Sequence, residues 1–304
     1  MTRITARRPS AIHESGARGI ELAKTLRRQK MMRTAKTVPF WLIVVFLTVV
    51  FLSPFIVMFT TSFKTMTDAF SIPVKIFPRE WVLSNFPAAF SRIPYFQYMG
   101  NTALLTFFSL LGELFVVPLV AYSLARIDWR GAKICSGLLL ATMMIPYTVT
   151  MIPLYKTWHA LKMTNTYIPL IAPHFVGHAY YIIIMRQFMK GIPRSLFEAA
   201  KIDGANEFQR YVRIALPLSK TGLTTIGIYT LIAVWSDYLA PLIYISKKDR
   251  MTLSLGLQQF LNEFTVDWTL LMAAAVIFVL PVILVFFIFQ KNFVEGVATS
   301  GIKA

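Results

Sequence analysis

Apolar residues in this chain come in long runs rather than in amphipathic stripes. No Asp, Glu, Lys or Arg occurs in residues 37–63, 134–155, 163–185 or 268–290. Each run reaches the ~20 residues that a helix needs to cross the hydrocarbon of a bilayer. Two further runs, 100–125 and 221–246, are as long but carry one carboxylate each, Glu113 and Asp237. The pattern predicts an all-α membrane protein with six transmembrane helices within residues 38–290, flanked by tails 1–37 and 291–304.

Composition agrees, since 56% of the residues are hydrophobic and only 15% charged, against roughly 25% charged in soluble domains. The net charge of +17 gains meaning from its placement. Alternate tails and loops hold 22 Lys and Arg on one side and 9 on the other. The positive-inside rule then puts both termini in the cytoplasm. The surplus orients the chain and attracts anionic lipid; it calls for no nucleic acid. In the tail, Ile20, Ala23, Leu26 and Lys30 approach helical spacing, which fits either a helix lying on the inner membrane surface or a disordered basic segment. The single cysteine, Cys135, can form neither an internal disulfide nor a metal site. The first run is too long for a signal-peptide core.

The external segment 64–99 carries Pro73, Pro78, Pro87 and Pro94, which break any long helix. Its aromatic residues, among them Phe70, Phe77, Trp81, Phe86 and Phe90, suit packing at the membrane surface. Prolines also fall inside the third, fourth and sixth spans, where neighbouring helices or a water-filled cavity must take up the freed carbonyls. No internal repeat is visible, which counts against a secondary transporter.

Residues 191–220 are too polar for the membrane and fall on the cytoplasmic side. Ser195 and Glu198 have the spacing of a capping box, predicting a short helix to about Asp203, ended by a left-handed Gly204. A second helix follows, with Phe208, Tyr211, Val212 and Ala215 on one face and Glu207, Arg210 and Arg213 on another. Pro217 then opens the fifth span, where no amide donor is needed.

The stretch EAAKIDGANEFQRYVRIALP, residues 198–217, resembles the EAA loop of ABC-importer permeases. Glu198, Ala199, Ala200, Gly204, Ile214, Leu216 and Pro217 match that pattern without a gap. Asn101, Ala121-Tyr122-Ser123-Leu124-Ala125-Arg126, Ile145-Pro146, Ile152-Pro153-Leu154-Tyr155, Arg186-Gln187-Phe188 and the region around Trp235 are similar to permeases of the maltose-type carbohydrate importers. The resemblance implies the type I importer membrane fold in a bacterial inner membrane. It also implies a second related permease, two copies of an ABC ATPase, and an extracytoplasmic binding protein that delivers a carbohydrate. Glu198, Ala199, Ala200, Asp203 and Gly204 would then dock an ATPase cleft, with Ser195, Ile214, Leu216 and Pro217 as scaffold. The chain has no G-x-x-x-x-G-K-[ST] loop to cradle phosphates. No cofactor is therefore expected here, and ATP with Mg belongs to the partner ATPase; the chain is not expected to be an enzyme. The same architecture could serve a polyol, a glycerol phosphodiester or another small solute.

Trp235, Asp237 and Tyr238 form a candidate solute contact, because carbohydrate hydroxyls suit carboxylate acceptors and aromatic faces. A structural hydrogen bond is the alternative for Asp237. Glu113, nearer the middle of its span, would line the cavity, pair with the sister permease or serve the fold. His174 and His178 are spaced i, i+4, but no third ligand lies near enough for a zinc site. His178 therefore stands as a pore-lining or packed residue, and no metal is expected.

Overall fold

The computed structural model describes the backbone of residues 37, 39–261 and 266–301, with side chains to residue 290. The surface helix expected in the basic tail lies outside the described residues. Among the described residues the chain is helical, apart from one antiparallel bridge between Leu261 and Val266. It divides into two units, Met1–Val57 and Met58–Ala304. Helix α1 spans Pro39–Thr61. Its 23 residues extend about 35 Å at roughly 1.5 Å each, and side chains such as Phe46 and Phe51 are exposed, as suits lipid or another subunit.

In the second unit, α2 (Met66–Ala69) and α3 (Asn85–Arg92) lie in the segment 64–99 that was expected to be external. The Asn85 amide donates to the Ser62 and Lys64 carbonyls at 2.9 and 2.8 Å, closing this segment onto the end of α1. Its aromatics divide: Phe86 and Phe90 join a buried cluster, while Phe70, Phe77 and Trp81 stay exposed.

Helix α4 (Tyr95–Arg126) is the centre of the unit. Tyr98, Thr102, Leu105, Ser109, Gly112, Val117, Ala121 and Leu124 recur three to five residues apart and are buried, so one stripe faces neighbours along its length. The chain continues through α5 (Ala132–Met143), α6 (Tyr147–Ala160), α7 (Ile168–Ile171), a 3₁₀ turn (Ala172–Phe175) and α8 (Ala179–Gly191). Next come α9 (Arg194–Ile202), α10 (Glu207–Arg210), a π turn (Tyr211–Ala215) and α11 (Leu216–Leu218). The last elements are α12 (Lys220–Trp235), α13 (Leu239–Tyr244), the 3₁₀ turn Lys248–Arg250, α14 (Leu253–Gln258) and α15 (Trp268–Gly301). Helix α4 packs against α8 and α12, α12 against α15, and α15 against α3.

By length and composition, α1, α4, the stretch Ile168–Gly191 and Trp268–Gln290 can each cross a membrane. Helices α5 and α6 make a fifth if that bent pair is one span. Three of the six expected spans are therefore not continuous helices. The third bends by 99° at a break that ends in Pro146, whose ring bars the preceding residue from helical geometry. The fourth passes through a 3₁₀ turn containing Pro173 and through Gly177 at φ 85°. The fifth stops at Trp235 and resumes at Leu239.

Helices α4 and α8 lie side by side in matched register. Glu113 meets His174 and His178, the Leu124 carbonyl accepts from Arg186 Nε at 3.2 Å, and Arg126 reaches Met189. Numbers rise together along both helices, so the two run parallel. At the opposite end from Arg126, the Asn101 amide donates to the Asp249 and Met251 carbonyls at 3.0 and 2.9 Å. Asn165 Oδ1 there accepts the Ser246 and Lys247 amides at 2.7 and 3.1 Å.

Candidate functional site

Helix α9 starts two residues earlier than the expected capping box requires. Pro193, extended at ψ 134°, is the N-cap, and no side chain caps the helix. Ser195 is thus the second helical residue, and the Ser195–Glu198 box does not form. Glu198 is left exposed, and no described residue bonds its carboxylate. Ala199 and Asp203 are also exposed, Ala200 is half-buried, and Ile202 is 87% exposed.

The other end of α9 follows expectation. Gly204 has φ 82°; its amide donates to the Lys201 carbonyl at 3.1 Å, and the Ala205 amide to the Ala200 carbonyl at 2.9 Å. Together they make the paired closure of a Schellman motif. Two residues on, the capping box absent at Ser195 is formed by Asn206 and Gln209. Tyr211 and Ala215 are buried, and Ile214 and Leu216 pack on the same inner cluster. Burial pushes the Tyr211 phenol up to about 12. Phe208 and Val212, expected on that buried face, are exposed, and from Tyr211 to Ala215 the backbone winds as a π turn. Pro217 is the second residue of the three-residue α11, and α12 begins only at Lys220.

The loop is fastened to α4 by residues that sequence reasoning quoted without a role. The Arg126 guanidinium donates to the Met189 carbonyl (3.0 Å from Nε) and to the Ile192 carbonyl. Both oxygens lie at the end of α8, where the Met189 carbonyl also accepts the Ile192 amide at 3.3 Å. The guanidinium also stands 4.6 Å from the centre of the Phe197 ring, the buried residue of α9. One turn earlier, the Tyr122 hydroxyl donates to Glu207 Oε2 at 2.9 Å, and Glu207 pairs with Arg210 at 2.5 Å. The i, i+4 spacing of Tyr122 and Arg126 at the C-terminal end of a span was the available signal.

Glu113 is 1% exposed. Its Oε1 lies 3.0 Å from His174 Nδ1, and its Oε2 accepts the His178 amide at 3.2 Å. It therefore serves the break in the fourth span and presents no surface to a solute. Gly112 makes the approach possible, since a Cβ there would sit 2.8 Å from Phe175 and 3.0 Å from the His174 backbone. Trp235 is likewise buried, its indole donating to the Phe278 carbonyl at 2.9 Å. Asp237 and Tyr238 are half-buried, and His178 is exposed. Of the five residues proposed for a solute path, Glu113 and His178 touch, and Trp235, Asp237 and Tyr238 lie together at the break in the fifth span. No group of three metal-ligating side chains occurs among the described residues.

Comparison with known proteins agrees with this architecture. The arabinooligosaccharides transport system permease protein AraQ of Bacillus subtilis (strain 168) is 34% identical over 209 residues, 69% of this chain and 74% of that protein. The sulfoquinovosyl glycerol transport system permease protein SmoH of Agrobacterium fabrum (strain C58 / ATCC 33970) is 30% identical over 253 residues, covering 83% and 89%. A chain of a bacterial ABC transporter involved in the import of the acidic polysaccharide alginate superposes with a TM-score of 0.75 at 25% identity, covering 86% of this chain and 97% of that one. The family model for the binding-protein-dependent transport system inner membrane component matches residues 115–299. The protein belongs to that family and is a multi-pass permease of the inner membrane with the type I importer fold.

Proposed function

We infer that the protein is the permease subunit of an ATP-binding-cassette importer that carries a carbohydrate delivered by an extracytoplasmic binding protein. The observation that carries this reading is the loop of residues 191–217. Phe197 is held inside, while Glu198, Ala199 and Asp203 face outward on a short, stoppered helix. Small residues beside an exposed carboxylate suit close approach to a cleft on another protein. Relatives that transport arabinooligosaccharides and sulfoquinovosyl glycerol support the solute class.

Six crossings with both termini inside fit the contacts. Helices α4 and α8 run parallel, which supports a return of residues 127–164 across the layer between them. Asn165 holds Ser246 at the far end from Arg126, which supports residues 220–244 as another return. In this reading a second permease completes the path, and two ATPase copies bind ATP with Mg. Closure of the ATPase pair would move α9 and rock the spans attached to it, as rigid elements do in other switches.

Purification from the native membrane tests the reading. The tagged chain is expected to bring down an ATPase and a second permease, and proteoliposomes of the complex to take up sugar only with ATP and binding protein. A chain that purifies alone, or a complex that transports only non-carbohydrate solutes, overturns it.

A further inference from the structure

We propose that Tyr122 and Arg126 are positioning residues that make α4 part of the moving element, so that docking-loop motion reaches the second span as well as the fourth and fifth. The proposal rests on the docking role inferred for α9. By chain connectivity alone, α9 could pull only on α8 before it and α12 after it. The contacts add a third member. Arg126 binds the carbonyls of Met189 and Ile192 at the hinge between α8 and α9, and covers Phe197 of α9. Tyr122 bonds Glu207 of α10, and its ring lies 6.3 Å from Phe197 and 5.2 Å from Tyr211. Both helices of the loop are thus held by one turn of α4.

Higher up, Glu113 binds the fourth span again, 13 residues earlier in α4. Two parallel helices joined at points about 20 Å apart along the axis cannot slide or splay without breaking charge-assisted bonds in a poorly solvated setting. The physical basis for transmission is therefore a contiguous bonded network rather than mere proximity.

The test uses the complete transporter in proteoliposomes with its binding protein and compares sugar taken up per ATP hydrolysed. Tyr122→Phe keeps the ring and removes the hydroxyl; Arg126→Gln keeps a donor but loses the fork. Both variants are expected to retain the ATPase subunits and binding-protein-stimulated hydrolysis, while uptake per ATP falls several-fold. An unchanged ratio in both variants overturns the proposal. So does a fall of assembly, hydrolysis and uptake in parallel for Arg126→Gln while Tyr122→Phe behaves as wild type, which marks a purely structural clamp. If the unaltered chain retains no ATPase, the docking reading itself has failed, an outcome visible before any variant is made.

Discussion

Asp237 Oδ1 accepts the Ala240 amide at 3.3 Å, and its main-chain carbonyl accepts from Ser254 Oγ at 2.6 Å. The first bond satisfies an amide at the start of α13 that has no helical partner; the second ties the break in the fifth span to α14. Asp237→Asn keeps an acceptor and is expected to assemble and transport near the wild-type level. Asp237→Ala should lose about 1 kcal/mol, the usual worth of such a helix-start acceptor, with uptake falling alongside thermal stability in detergent. Loss of uptake in the Asn variant at full assembly would instead give the charge to the solute.

Glu113 offers a sharper contrast. Glu113→Leu leaves the His178 amide and the His174 ring without their acceptor. Losing a buried hydrogen bond to a charged group costs about 1.5–3 kcal/mol. Glu113→Gln still offers an oxygen to one of the two partners and should fall between Leu and wild type. Melting of the purified complex in lipid nanodiscs measures the order; a Leu variant as stable as wild type would refute the role given to this residue.

At Gly204 a built Cβ meets nothing within 4 Å, so any penalty comes from the backbone at φ 82° rather than from crowding. Gly204→Ala should cost about 1–2 kcal/mol locally, Gly204→Val more, and Gly204→Asn least. Retention of the ATPase on the tagged chain should follow that order, with membrane levels unchanged. Equal retention by Val and Gly would show that the turn geometry is irrelevant to docking.

Orientation is checked by thiol labelling in a Cys135→Ser background. Ala89 lies in the segment 64–99, expected to be external, but is fully buried in α3, which makes it a poor target. Ile72, 96% exposed in the same segment, is the better site. Ile72→Cys should react with an impermeant maleimide in intact spheroplasts, and Asn206→Cys only after permeabilisation. The reverse pattern inverts the topology.

The positions of four spans, and of a fifth if the bent pair is one, were legible because a bilayer tolerates few charges, and runs without them stand out in any sequence. The interruptions were not. Pro146 and Pro173 both sit in apolar runs, yet one accompanies a 99° bend and the other a 3₁₀ turn; the difference depends on neighbours that no local pattern specifies. In the loop, Gly204 was readable because its conformation favours one residue type. Ser195 misleads because Pro193 sets the start of α9 two residues upstream, while Asn206 and Gln209 carry an equivalent signal. Arg126 and Glu113 acquire their roles from contacts 61 to 66 residues away along the chain. Only the packing of α4 against α8 brings those partners together.

That separation has a consequence for how the protein is made. Glu113 leaves the ribosome 61 residues before His174, an interval of about 3–12 s at the usual ~5–20 residues per second. Throughout it, a carboxylate near the middle of the second span faces an insertion cost of roughly 2.5–3.5 kcal/mol with no mate in the bilayer. The nascent chain should therefore linger at the translocon until the fourth span arrives. Ribosome-stalled chains ending near residue 160 should be extracted and degraded more readily than those ending beyond Gly191.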